Sequence, residues 1–222
     1  MKILIADDHA MLRRGLKQIL ALEYPHAEFG ESGTTEETLA RISQERWDVL
    51  VLDIFMPGRS GLDVLREIET SKPKLPVLVL SSAPEEQMAT RVLRAGAMGY
   101  LNKQAAPEEL AQAVKRVASG STYVSAALAE RLATELAHPS NTPHERLSDR
   151  EFQVMQLLVV GKCVKEIASE LALSPKTIST FRTRVLEKLR LQTDVDLVRY
   201  ALEHNLVESA VVPRTGTGKG EA

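Results

Sequence analysis

The chain has 222 residues, 44% hydrophobic and 26% charged, with a net charge of −2. That is enough length for one or two domains, each with its own core, and an ordinary composition for a soluble globular protein. No apolar run approaches the ~20 residues that span a bilayer, and the N-terminus runs straight into a strand at Lys2 to Ala6 without a signal-peptide pattern, so no membrane partner is expected. The single cysteine, Cys163, excludes an internal disulfide framework, suits a reducing cytoplasm and reads as helix packing. The slightly acidic balance argues against wholesale polyanion binding but leaves room for a local basic surface.

Residues 1–120 alternate short apolar runs with helical patterns. The runs are Ile3 to Ala6, Ala27 to Gly30, Val49 to Leu52, Val77 to Leu80 and Gly99 to Leu101. Helices are expected near 10–21, 34–45, 60–70, 85–96 and 107–118. Start signals support several: Thr34-Thr35 before Glu36-Glu37, Pro84 before Glu85-Glu86, and Pro107 before Glu108-Glu109. Five βα units of this size predict an α/β domain with a five-stranded, doubly wound parallel sheet and right-handed crossovers.

In such a sheet every strand delivers its end to the same edge, where open α/β sheets bind their ligands. The expected ends carry Asp7-Asp8, Asp53, Ser81-Ser82 and Lys103. The run at Val49 to Leu52 is apolar throughout, as a strand buried on both faces must be, and it stops at Asp53 before a Pro57-Gly58 turn signal. A single acid there reads equally well as a cap of the following turn. Three carboxylates, a hydroxyl and an ammonium on one rim do not. Clustered carboxylates repel one another and call for a divalent cation, and oxygen ligands favour Mg²⁺. Asp53 is then the nucleophile, Asp7 and Asp8 hold the metal, and Ser81 and Lys103 receive phosphoryl oxygens. His9, after the acidic pair, reads as a neutral residue at a helix start, with no cysteine or second histidine nearby to complete a transition-metal set.

These residues resemble the receiver domain of two-component response regulators. The matching pieces are Asp7-Asp8, then Asp53 with Met56-Pro57-Gly58 and Gly61, then Ser81. Ala95-Gly96-Ala97 follows, leading into Gly99-Tyr100-Leu101-Asn102-Lys103. The resemblance implies a flavodoxin-like fold and phosphorylation of Asp53 by a sensor histidine kinase. It also implies that the Phe55 carbonyl joins the metal shell, and that Ser81 and Tyr100 form a switch. Ser81 stands where many receivers carry threonine; the hydroxyl is kept.

Beyond the fifth unit, Tyr123 to Ala137 is Ala- and Leu-rich at helical spacing, and residues 138–145 form a proline-containing linker, so 121–146 is read as an extra helix and linker. From Leu147 the pattern is all-α, with four short helices. Ser148-Asp149-Arg150-Glu151 is a capping box opening a helix to Val160 that stops at Gly161. A second helix covers about 165–172, and Ser174-Pro175 opens a third that runs to about Leu191. A fourth spans Asp194 to Glu203. In the third, Ile178, Phe181, Val185 and Leu189 form an apolar stripe facing the core, while Lys176, Ser179, Thr180, Thr183, Arg184 and Glu187 lie opposite. Between Pro175 and Arg190 there are five basic residues and one acid. A short helix, a tight turn and a basic helix make a helix-turn-helix whose second helix enters the major groove.

Leu147 to Leu206 resembles the LuxR-type helix-turn-helix of NarL/FixJ regulators. Leu147-Ser148-Asp149-Arg150-Glu151, Lys165-Glu166-Ile167-Ala168, Leu173 to Ile178 and Glu187-Lys188-Leu189 carry the match. By that resemblance Lys176, Thr177 and Arg184 contact the DNA backbone, and Ser179, Thr180 and Thr183 read bases. Lys188 is a further phosphate contact; Arg182 fits a basic position of the family that contacts DNA, but it lies beside the apolar stripe, where a snorkelled structural role reads nearly as well. Residues 207–222 are read as a tail, disordered at its end.

The expectation is a cytoplasmic transcriptional response regulator, not an enzyme in its own right, switched by phosphorylation of Asp53 with Mg²⁺. Its expected partners are the cognate histidine kinase, promoter DNA, a second copy of itself when phosphorylated, and RNA polymerase. The alternative is a phosphorylation-independent DNA-binding regulator with a vestigial receiver. A phosphatase resembling the haloacid dehalogenase-like enzymes would need a second aspartate two residues after Asp53, where this chain has Phe55.

Overall fold

The five apolar runs become the strands β1 (Lys2–Ala6), β2 (Glu28–Ser32), β3 (Val49–Leu52), β4 (Val77–Ser81) and β5 (Gly99–Asn102). In the computed structural model they form one sheet in the order β2-β1-β3-β4-β5, every pair parallel. The structure describes residues 1–56, 59–71, 75–83, 85–137, 142–204 and 206. The Pro57-Gly58 turn, Pro84, residues 138–141 and the expected tail from residue 207 lie outside them.

Five helices connect and follow the strands: α1 (Ala10–Glu23), α2 (Thr35–Gln44), α3 (Gly61–Ser71), α4 (Glu85–Arg94) and α5 (Pro107–Ala118). Thr34 caps α2 by accepting the Glu37 N–H, and Pro107 opens α5, as their sequences dictate. α1 and α5 lie together on one face, where Ile3, Ile5, Val49, Val51, Leu78 and Leu80 meet Leu16, Leu20, Leu110, Val114 and Val117. The alternate strand residues Leu4, Leu50, Leu52, Val77 and Val79 are buried as well, on the opposite face. Burial on both faces is why the strands read as unbroken apolar runs. β2 is displaced from the expected Ala27 to Gly30: its register, Lys2 with Glu28 through Ala6 with Ser32, carries it two residues further along β1. Hydropathy does not reveal that shift, because an edge strand's pairing is made by its backbone.

After α5 the chain turns back along β5. Tyr123 forms an isolated parallel bridge with Gly99, its N–H donating to the Met98 carbonyl at 2.9 Å. Ser125 then opens α6 (Ala126–Ala137), which packs against α4.

Contacts divide the chain into two units, Met1–Ser140 and Asn141–Ala222. In the second, a short 3₁₀ turn (Pro143–Arg146) precedes α7 (Asp149–Val159), α8 (Val164–Glu170), α9 (Pro175–Leu189) and α10 (Asp194–Glu203). Ser148 and Glu151 form the capping box of α7, and Thr193 with Asp196 forms another on α10. Gly161 takes φ +87° just past α7, a conformation that favours glycine. α9 stops at Leu189 rather than near Leu191 because Arg190 adopts the left-handed conformation and closes it. Cys163, expected as helix packing, is exposed and stands at the N-cap of α8. The core of α9 also differs from the wheel: Ile178, Val185 and Leu189 are buried as expected, but Leu186 is buried with them and Phe181 is only half-buried. The partners converging on α9 from α7 and α8 widen its buried arc beyond one stripe.

Candidate functional site

Strand order reverses between β1 and β3, and the register pairs Ala6 with Leu52, so the residues that follow, Asp7 and Asp53, emerge side by side. Backbone hydrogen bonds fix both: Asp53 N–H donates to the Ala6 carbonyl at 2.8 Å and Asp7 N–H to the Ser32 carbonyl at 3.2 Å. Asp7 is 1% and Asp53 2% exposed. Lys103, just past β5, reaches in to place its Nζ 2.7 Å from Asp7 Oδ2 and 2.7 Å from Asp53 Oδ2. Asp53 Oδ1 accepts the Phe55 N–H at 3.0 Å. Gly61 opens α3 against this loop; a Cβ there would meet the Ile54 Cα at 2.5 Å, so only glycine lets α3 start so close.

Electrostatics follow from burial. Desolvation pushes the Asp53 carboxyl above its ordinary value, opposed by Lys103 and the Phe55 N–H and reinforced by Asp7. Burial lowers Lys103, but the two carboxylates outweigh it and hold the ammonium above its usual range. The site is therefore a half-buried cation between two buried carboxylates.

Asp8 and His9 complete the rim. His9 Nδ1 lies 2.7 Å from Asp8 Oδ1 and 3.3 Å from Asp7 Oδ1, and the His9 backbone N–H donates to Asp7 Oδ1 at 2.8 Å. Asp7, Asp8, His9 and Asp53 each offer one ligand atom, all within 4.8 Å of one another. Two of those carboxylates are buried, and their hard oxygen donors fit a divalent cation of the Mg²⁺ class. His9 stands at the N-cap of α1, the helix start expected of it. Arg13, which carries no motif signal, lies one α-helical turn beyond His9, and its guanidinium donates to the Asp7 carbonyl at 2.6 Å.

Ser81 ends β4 fully buried, its Oγ accepting the Ala83 N–H at 3.1 Å. Tyr100 is buried, and its hydroxyl donates to the Ala83 carbonyl. Thus the fold brings Asp7, Asp8, Asp53, Ser81 and Lys103 to one edge, with Tyr100 tied to the loop after Ser81.

In the second unit, α9 exposes Lys176, Ser179, Thr180, Thr183 and Arg184 on its outer side, with Thr177 half-buried beside the Ser174 cap. Two further cations expected at the DNA are also paired within the unit. Arg182 Nε is engaged by Asp194 of α10 at 2.8 and 3.1 Å. Lys188 Nζ lies 2.6 Å from Glu151, a carboxylate only 4% exposed, and donates to the Arg146 carbonyl at 3.3 Å. Both cations join elements of the domain to each other.

An acidic cluster at the switch point of a parallel sheet, on a chain that also carries a basic helix-turn-helix, defines a two-domain signalling regulator. Comparison with known proteins gives the family. Residues 3–115 match the response regulator receiver domain and residues 145–201 the bacterial regulatory proteins of the luxR family. The chain is 36% identical over 211 residues to the response regulator GacA of Pseudomonas syringae pv. syringae, covering 94% of this chain and 99% of GacA. It is 35% identical to the response regulator UvrY of Escherichia coli K12, covering 92% and 94%. Among solved structures, RcsB of Salmonella enterica serovar Typhimurium, bound to promoter rprA with phosphomimetic BeF₃⁻, is similar with a TM-score of 0.62 and 27% identity. That match covers 90% of this chain and 98% of RcsB. The chain belongs to the response regulators that join a receiver to a LuxR-type helix-turn-helix, and its receiver is a phosphoryl-transfer module rather than a separate enzyme. Among the described residues no helix is long and apolar enough to cross a membrane.

Proposed function

We propose that residues 1–120 receive a phosphoryl group on Asp53 from a sensor histidine kinase, and that residues 147–206 bind promoter DNA in response, with 121–146 joining the two. The observation that carries this reading is the Lys103 ammonium, 2.7 Å from both Asp7 and Asp53 at the switch point of the sheet. An Asp53 oxygen attacks phosphorus, forming an O–P bond as the P–N bond of the donor phosphohistidine breaks, and the imidazole leaves. Lys103 follows the new charge onto the phosphoryl oxygens, and Ser81 donates its hydroxyl proton to another. Asp7, Asp8, Asp53 and the Phe55 carbonyl are the residues that would hold Mg²⁺, which when bound offsets the charge of carboxylates and phosphoryl group together. Tyr100, bonded to the loop that carries Ser81, reports the change toward the far face of the domain.

On DNA, Lys176, Thr177 and Arg184 contact phosphates, and Ser179, Thr180 and Thr183 reach base edges. Arg182 and Lys188 serve the domain's own architecture instead. Phosphorylation promotes a dimer whose two α9 helices address half-sites about one helical turn apart. The solved complexes of the similar RcsB with promoter DNA support this reading. The protein works in the cytoplasm, where kinase, Mg²⁺ and promoters are available.

The test is a gel-shift titration on promoter fragments with Mg²⁺, with and without a small phosphodonor. The parent's affinity rises with the donor and Asp53→Asn shows no rise. Equal binding by both proteins in every lane would defeat the switch.

A further inference from the structure

Directly across the sheet from Ser81, paired with it in the parallel register, stands Asn102. Its carboxamide has one workable orientation. Oδ1 accepts the Gln104 N–H at 2.8 Å, which leaves Nδ2 to donate to the Ala83 carbonyl at 3.2 Å. The flipped amide would set oxygen against oxygen and N–H against N–H. The same Ala83 carbonyl accepts the Tyr100 hydroxyl. Ala83 is thereby held at both ends, because its N–H donates to Ser81 Oγ at 3.1 Å.

A hydroxyl has one proton and two lone pairs. Once Ser81 Oγ accepts the Ala83 N–H, the direction of that N–H fixes one lone pair and narrows the arc in which the Ser81 proton can point. The Lys103 N–H meanwhile donates to the Ser81 carbonyl at 2.8 Å, so one strand end sets both groups that meet the phosphoryl oxygens.

We infer that Asn102 is a positioning residue for phosphoryl transfer to Asp53: by clamping the Ala83 carbonyl it orients the Ser81 hydroxyl. The inference rests on Asp53 as phosphoacceptor and Ser81 as its hydroxyl partner, and it adds a residue that neither role includes. Tyr100 holds Ala83 through a long side chain anchored two residues further back in β5; Asn102 holds it from beside Lys103.

The test uses the full chain with Mg²⁺ and phosphoramidate, following phosphorylated protein by phosphate-affinity electrophoresis, with Asp53→Asn as the blank. Asn102→Ser keeps a hydroxyl for the Gln104 N–H but is too short to reach Ala83. It is expected to slow the saturating rate about fivefold, the worth of one hydrogen bond. The half-saturating phosphoramidate concentration and the unfolding midpoint should stay at parent values. In a Ser81→Ala background the same substitution should change nothing further, since its effect passes through Ser81. Parent-like rates for Asn102→Ser overturn the inference, as does an equal slowing in both backgrounds. A parent chain that takes up no phosphoryl group overturns the phosphoacceptor reading itself, a result distinct from either.

Discussion

Lys103 and Lys188 are both lysines held at short distance by buried carboxylates, yet they serve opposite ends. Lys103 lies between two buried acids, a pairing for which a phosphoryl group and a metal would compete. Lys188 faces the single carboxylate of Glu151, which also accepts the Ser148 N–H, while the Ser148 hydroxyl accepts the Glu151 N–H. Burial alone pushes the Glu151 carboxyl up, but Lys188 and the Ser148 N–H and hydroxyl outweigh it and hold it below the ordinary range. The sign of the linkage follows. A carboxyl lowered in the folded state contributes stability that is fully present above its unfolded value, about 4.3. That stability is lost as the pH falls through the lower folded value. The protection factors of α7 and α9 amides, taken against intrinsic exchange at each pH, should therefore fall on acidification below about pH 4.3. Glu151→Gln should be less protected at neutral pH and nearly flat across that window. Equal pH profiles for the two proteins would show that the pair contributes nothing to the domain.

At the scale of the element, α9 carries four basic residues, with Arg190 a fifth at its cap, but they are not one class. Arg182 is engaged by Asp194 and Lys188 by Glu151, while Lys176 and Arg184 lie on the exposed side with the three hydroxyl residues. Counterion release gives each neutralised phosphate about 0.9 in the slope of log K against log salt. Lys176→Ala should thus flatten the salt dependence of DNA binding by about one unit. Lys188→Ala should leave that slope alone and destabilise the small domain by about 1–2 kcal/mol, a charge-assisted hydrogen bond with one partner half-exposed. Salt titrations of both variants, with their unfolding curves, separate a phosphate contact from a structural cation. The sequence could not make this distinction. A helical wheel orders residues by angle and finds Ile178, Val185 and Leu189; the carboxylates that capture Arg182 and Lys188 lie 12 and 37 residues away.

For the whole molecule, the two units are separately compact, so withholding Mg²⁺ should silence the switch without abolishing DNA binding. With a chelator in place of Mg²⁺, the rise in affinity on adding phosphodonor should vanish, while the basal, salt-sensitive binding persists. A rise that survives the chelator would mean that Asp53 is phosphorylated without the cation its neighbouring carboxylates fit. Loss of all binding would mean that the small domain depends on the metal, for which its own described residues provide no cluster.

The fold class and most of the candidate site were legible in the sequence because they rest on local rules. Unbroken apolar runs mark strands buried on both faces. A parallel sheet sends all strand ends to one edge, so Asp7, Asp8, Asp53, Ser81 and Lys103 could be placed together before any distance was known. Capping at Thr34, Ser148 and Ser174 was equally local, each hydroxyl bonding an amide three residues on. Tertiary structure alone decided the rest. It moved β2 along its neighbour, turned Phe181 partly out and Leu186 in, and tied Arg182 and Lys188 into the small domain. It also set Asn102 against Ala83. Each of these depends on which residue of a distant segment arrives opposite, and pairing register and side-chain reach across elements leave no periodic trace in the chain.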